Sequence, residues 1–139
     1  MRFFLLILLM ATTTVARAEI SVSDAWVRAT PPGAQTAAVY LSLHNNGADD
    51  VLLGASTNVA QEAQLHTHRH EQGMMRMEQV ASFDVASGAT VSLEPGGKHL
   101  MLMDIFSPMK PGESVEIELF FRLNKPLKLT VAVRDGRTQ

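Results

Sequence analysis

Residues 39–44 alternate strictly: Val39, Leu41 and Leu43 are apolar, and Tyr40, Ser42 and His44 stand between them. The same period of two returns in Val115, Ile117, Leu119 and Phe121, set against Glu116, Glu118, Phe120 and Arg122. It returns again in Leu127, Leu129, Val131 and Val133, set against Lys128, Thr130, Ala132 and Arg134. Successive side chains of a strand point to opposite faces, so each run buries one face and exposes the other. No long stretch keeps the 3.6-residue period of a helix. Turn signals separate the runs: Pro31-Pro32-Gly33, Asn45-Asn46-Gly47, Glu71-Gln72-Gly73, Ser87-Gly88, Pro95-Gly96-Gly97 and Pro111-Gly112. Short strands at this spacing predict an all-β domain, a sandwich or small barrel. With 139 residues, no internal repeat and no linker, the chain holds one such domain.

The first 18 residues read as an address rather than as part of that domain. Arg2 gives a positive start, Phe3 to Met10 is a short apolar run, and Ala16-Arg17-Ala18 is a small-residue cleavage site of the A-x-A kind. The apolar run is about half of what a bilayer span needs. A signal peptide over 1–18 and a β-sandwich domain over 19–139 are the expected organisation. Cleavage removes Arg2 and Arg17 and leaves 10 basic against 14 acidic residues, a net charge of −4. The exported domain is then expected in a bacterial periplasm, without a membrane span. It has no basic cluster, which excludes nucleic acid as a partner, because phosphate demands a positive face.

Cysteine is absent, while methionine occurs eight times and histidine five times. The zero removes disulfide frameworks, zinc ribbons, cysteine nucleophiles, iron–sulfur ligation and thiolate blue-copper sites. The methionines and histidines fall largely in two hairpin-like segments. One is Gln64-Leu65-His66-Thr67-His68-Arg69-His70, followed by Glu71-Gln72-Gly73 and Met74-Met75-Arg76-Met77-Glu78. The other is His99-Leu100-Met101-Leu102-Met103, entered from Pro95-Gly96-Gly97-Lys98. On a strand His99, Met101 and Met103 share one face, with His99 and Met101 about 6–7 Å apart at their Cα atoms. A reversal centred on Glu71-Gln72 places His66 opposite Met77 and His68 opposite Met75. A bulge at Gly73 shifts this pairing by one residue and turns Met77 to the other face. The pairing therefore stays open at this level.

Thioether sulfur is soft and neutral, imidazole is borderline, and a set poor in carboxylates that mixes the two favours Cu(I). Methionine also suits an oxidising compartment, since it cannot be lost to a disulfide. Other readings stay open beside a His66, Met77, His99 and Met101 site. The run His66-x-His68-x-His70 also permits zinc or Cu(II). A structural β-sandwich would bury the methionines as core, and Met74 and Met109 are expected to pack in any case. His44 is expected to be an ordinary surface histidine, and Glu94 and Asp104 to be surface residues or partners of the site histidines. An electron-transfer copper protein lacks its thiolate here, and an N-terminal histidine brace is ruled out by Glu19 as first mature residue. No serine elbow or carboxylate pair suggests a hydrolase, so a binding protein rather than an enzyme is expected.

The spacing His66-x10-Met77-x21-His99-x-Met101 resembles the signature of periplasmic copper chaperones of the PCuAC type. The flanks are similar too: Ala25-Trp26-Val27-Arg28, Pro31-Pro32-Gly33, Ala38-Val39-Tyr40-Leu41, the block Leu93 to Met103, and Leu119-Phe120-Phe121. The likeness covers about residues 20–134. It implies a cupredoxin-like Greek-key β-sandwich or barrel, and Cu(I) held by His66, Met77, His99 and Met101. It implies delivery of copper to the centres of cytochrome c oxidase, through copper-accepting assembly factors or the oxidase copper subunit; a periplasmic copper buffer or resistance protein without a dedicated recipient stays open beside it. A monomer is expected. Two features depart from the family pattern. His68 and His70 follow the first histidine and offer a secondary Cu(II) site, and the tail Arg134 to Gln139 carries neither histidine nor methionine.

Overall fold

The computed structural model describes residues 19–136, together with Ala11. The leader read over 1–18 lies outside the described residues, apart from Ala11. Among the described residues there are ten strands and no helix: β1 (Ile20–Arg28), β2 (Thr36–Asn45), β3 (Asp50–Thr57), β4 (Ala60–Glu71), β5 (Met74–Val80), β6 (Phe83–Val85), β7 (Thr90–Leu93), β8 (His99–Ile105), β9 (Ser114–Phe121) and β10 (Leu127–Arg134). The three alternating runs of the sequence are β2, β9 and β10.

Seven of these strands close into a barrel in the order β4-β8-β2-β1-β10-β9-β3, with β3 returning to β4 through the pair Ala55–Ala63. Closure removes the free edges that these seven strands would present as an open sheet. All neighbours are antiparallel except β1 and β10, which run parallel. The short strands β6 and β7 pair with β3 and β2, and β5 hangs from β4 beyond the barrel wall. This is the all-β, cupredoxin-like architecture expected from the sequence.

The core is filled from the apolar faces of the alternating strands. Leu41, Leu43, Leu52, Leu100, Leu102, Leu119 and Val131 are all inaccessible or nearly so. Leu127 and Leu129 only reach its margin, so the apolar face of β10 is buried mainly at Val131 and Val133. One irregularity matters for the site. The β1–β2 register slips by one residue between Ser23 and Trp26, and Asp24 there adopts φ 52°. A one-residue slip exchanges the faces of a strand. Ile20 and Val22 therefore point inward before the bulge and Val27 after it, and Trp26 is turned outward to pair with Tyr40.

Candidate metal centre

The site is built on the outer face of β4 and β8. Leu100 and Leu102 are committed to the core, so the pleat sends His99, Met101 and Met103 outward. On β4, buried Leu65 sets the same parity and turns Gln64, His66, His68 and His70 outward. The two strands place His66 directly opposite His99, and Gln64 directly opposite Met101. The His66 and His99 rings lie 5.6 Å apart between centroids, and His68 brings a third imidazole to 5.4 Å from His99.

The hairpin register differs from the expected one. Glu71 pairs with Met74, leaving only Gln72 and Gly73 in the loop, at φ 51° and 75°. Two consecutive positive φ angles are the mark of a type I′ turn, whose twist suits a hairpin. Each pair thus moves by two residues: Met77 faces His68, Met75 faces His70, and Gln79 faces His66. A shift of two keeps the faces unchanged. Met77 therefore stays on the side of the histidines, but as a diagonal neighbour of His66, within reach of a long side chain. It is half exposed. The bulge alternative at Gly73 does not occur.

Both site histidines have one ring nitrogen engaged and the other free. His99 Nδ1 donates to the Gly97 carbonyl oxygen at 3.0 Å. His66 Nε2 donates to the Gln64 side-chain oxygen at 2.9 Å. Each acceptor oxygen fixes the proton on that nitrogen, which leaves the lone pair on the opposite one. Those nitrogens, His66 Nδ1 and His99 Nε2, are buried and have no hydrogen-bond partner. An unsatisfied buried acceptor costs roughly 1–3 kcal/mol, and a coordinated ion would offset that cost. Burial pushes both imidazoles below their ordinary protonation range, reinforced for His66 by His99 and for His99 by His68, while the Gly97 bond acts in the opposite sense on His99. Both shifts favour the neutral imidazole, the form that can ligate.

His99 is only 2% exposed although it lies on the outer face. The His66, His68 and Tyr40 rings cover it, Tyr40 at 6.4 Å, and Trp26 closes over Tyr40 at 4.8 Å. Desolvation there pushes the Tyr40 hydroxyl up, opposed by the nearby Arg28 charge. The bulge in β1 is what delivers Trp26 to this row. No three His, Cys, Asp or Glu side chains converge on one point among the described residues. Met101 and Met103 add thioether sulfur on this same face, a donor that favours a soft ion.

Other sequence expectations sort as follows. His44 engages Thr90 Oγ1 and Asn46 Oδ1, both at 2.9 Å, and takes no part in the site. Met109 packs in the core, whereas Met74 is 61% exposed and does not pack as expected, because the two-residue turn carries it beyond the barrel. Glu94 and Asp104 are exposed, and the histidine hydrogen bonds go instead to Gln64 and Gly97. Sequence reasoning set His68 apart as a secondary ligand and missed Gln64. The i, i+2 spacing Gln64, His66, His68 was the available signal. A cleft of about 470 Å³ lined by Ser56, Thr57, Glu116 and Lys128 lies away from the histidines.

The chain resembles known proteins in sequence and in fold. Residues 20–133 match the model of the LpqE-like family. Lxx21020 of Leifsonia xyli subsp. xyli (strain CTCB07), which is named as a lipoprotein, is 31% identical over 118 residues, 84% of this chain and 70% of that protein. The copper-bound PCuAC domain of PmoF2 superposes with a TM-score of 0.72 at 23% identity, covering 88% of this chain and 97% of that one. The solution structure of Cu(I)-DR1885 from Deinococcus radiodurans gives 0.67 at 28% identity, covering 90% and 83%. No helix among the described residues is long and apolar enough to cross a membrane. With its sequence matched over nearly the whole barrel, the chain belongs to the LpqE-like family, the family of PCuAC-type domains.

Proposed function

We propose that this protein is an exported Cu(I) metallochaperone that binds the ion through His66, Met77, His99 and Met101 and delivers it to the copper centres of cytochrome c oxidase. The observation that carries this reading is the pair of buried imidazole nitrogens, His66 Nδ1 and His99 Nε2, each with a free lone pair. They belong to a chain with thioethers on the same face and no thiol. The solved relatives described as copper-bound and Cu(I)-bound support the choice of ion.

The geometry suggests how the cargo is released. His66 and His99 are held by Gln64 and Gly97 and form the rigid side of the site. Met77 is half exposed on a strand outside the barrel, so it is the donor that leaves first. Thiolates on an acceptor then replace neutral donors one at a time. They bind Cu(I) more strongly than thioether or imidazole, and transfer runs downhill. The acceptors are copper-accepting assembly factors or the oxidase copper subunit. Processing after Ala18 releases the domain 19–139 into the periplasm.

A Cu(I) titration against a chromophoric chelator tests the site. Met101→Ala and His66→Ala are each expected to weaken binding by at least about tenfold with the fold intact. Wild-type affinity in both variants would reject the ligand set. Mixing the Cu(I) form with a dithiol acceptor tests the role, and copper that stays on this protein at equilibrium would reject delivery.

A further inference from the structure

The β4–β5 hairpin divides its chemistry by face. One face carries Arg69, Glu71, Arg76 and Glu78, with Arg69 3.8 Å from Glu78. The other carries only neutral donors in register: His66 opposite Gln79, His68 opposite Met77, and His70 opposite Met75. The two-residue turn at Gln72-Gly73 locks these rungs. The inner cluster uses the first rung and reaches into the second, since the His68 ring lies 5.4 Å from His99. The third rung is left over. His70 is exposed and Met75 is 51% exposed, so neither is explained by packing.

We propose that His70 and Met75 form a second binding site for a soft monovalent ion, Cu(I), at the tip of this hairpin. It rests on the copper reading above and adds an outer station to the same face. Residues directly opposite on one face of an antiparallel pair have Cβ atoms about 5 Å apart. A long, unbranched thioether and an imidazole meet on one ion across that gap. One nitrogen and one sulfur, both neutral, suit Cu(I) in low coordination and do not suit Zn(II) or Mg(II).

Placement gives the station its use. Rungs two residues apart are separated by about 6–7 Å along the strand. An ion on His70 and Met75 is thus one rung from His68 and Met77, and His68 touches the inner cluster. Movement between stations exchanges one neutral donor for the next. One copper–ligand bond forms as another breaks, copper stays in the +1 state, and no electron or proton moves. The secondary site expected at His68 and His70 as a pair is thereby redistributed. His68 joins the His99 cluster on the outer face, and His70 takes a sulfur partner rather than a second imidazole.

The test is a titration of the full chain with Ag(I), a redox-inert stand-in for Cu(I), followed through 13C-labelled methionine methyl signals and Trp26 emission. The first equivalent is expected to move the Met101 and Met77 methyls and to perturb Trp26, which adjoins the inner cluster through Tyr40. A second equivalent, bound at least about tenfold more weakly because two donors replace four, is expected to move the Met75 methyl and leave Trp26 unchanged. His70→Ala is expected to abolish the Met75 response and preserve the first, and Met75→Leu to lower the Ag(I) bound from two equivalents to one while preserving the Met101 and Trp26 responses. A Met75 signal that stays fixed in excess Ag(I), a Met75 response that survives His70→Ala, or a second equivalent still bound by Met75→Leu, overturns the outer site while leaving the inner one standing. A Met101 signal that never moves overturns the copper reading itself.

Discussion

At the residue scale, the decisive feature is which nitrogen of each imidazole is occupied. Residue types and spacing indicate that His66 and His99 are donors, but nothing in a linear pattern states which ring atom is free. That is settled by Gln64 and Gly97, which tie down His66 Nε2 and His99 Nδ1. Gln64 is therefore a positioning residue, and its removal should matter although its side chain is not a proposed ligand. Gln64→Leu is expected to weaken Cu(I) binding by about tenfold, in line with the loss of an outer hydrogen bond to a ligating histidine. Gln64→Glu, which keeps an acceptor, should recover most of it. Competition with a chromophoric chelator measures both, and equal affinity in Gln64→Leu would show that the His66 ring needs no such support.

At the scale of elements, strands differ in how firmly they present their ligands. β8 is anchored by Leu100 and Leu102, which are fully buried, so Met101 is carried on the barrel wall. β5 pairs only with β4 and exposes nearly all its residues, so Met77 is carried on a peripheral ribbon. A two-stranded ribbon holds its geometry less tightly than a closed sheet. Met101→Leu is accordingly expected to lower Cu(I) affinity by about tenfold or more, and Met77→Leu by less while speeding release to a thiol acceptor. Stopped-flow transfer to a dithiol, set beside equilibrium affinity, separates the two effects. A larger equilibrium loss for Met77→Leu would mean that the hairpin is as rigid as the wall. The alternation of apolar residues made β2, β9 and β10 legible. The hairpin was legible as a hairpin, yet its register was misjudged by two residues, because Glu71 joins the strand instead of the turn. The β1 bulge was not legible at all. Nothing in Ser23-Asp24-Ala25-Trp26 announces the left-handed residue that turns Trp26 outward.

At the scale of the whole molecule, stability depends on fastening the loop after β9 to the start of β3. Asp50, 2% exposed, accepts hydrogen bonds from the Leu123 and Asn124 backbone N–H groups, from the Asn124 side chain and from Val51 N–H. Desolvation by burial raises its protonation range. The Asn124, Val51 and Leu123 hydrogen bonds together outweigh it and hold the carboxyl at about 2 instead of its ordinary 3.8. The folded value lies below the unfolded one, so the contribution is full above the ordinary carboxyl range and is lost as pH falls through about 2. The difference corresponds to roughly 2–3 kcal/mol. Asp50→Asn is expected to lower stability by about that much at neutral pH, and to flatten the fall in stability between about pH 4 and pH 2. Urea unfolding across that range measures it. A variant as acid-sensitive as the parent would assign the acid loss to other carboxyls.

The sequence by itself determined the all-β class, the buried faces of the main strands and the donor types, because period-two burial and ligand softness are local properties of residue and spacing. Only the tertiary structure decided that His66 meets His99, that His68 joins them, that Met77 stands at the rim, and that Trp26 roofs Tyr40. Those outcomes depend on registers between strands distant along the chain. A register is set by turn geometry, a single bulge and the fit of the closed barrel, none of which is additive over neighbouring residues.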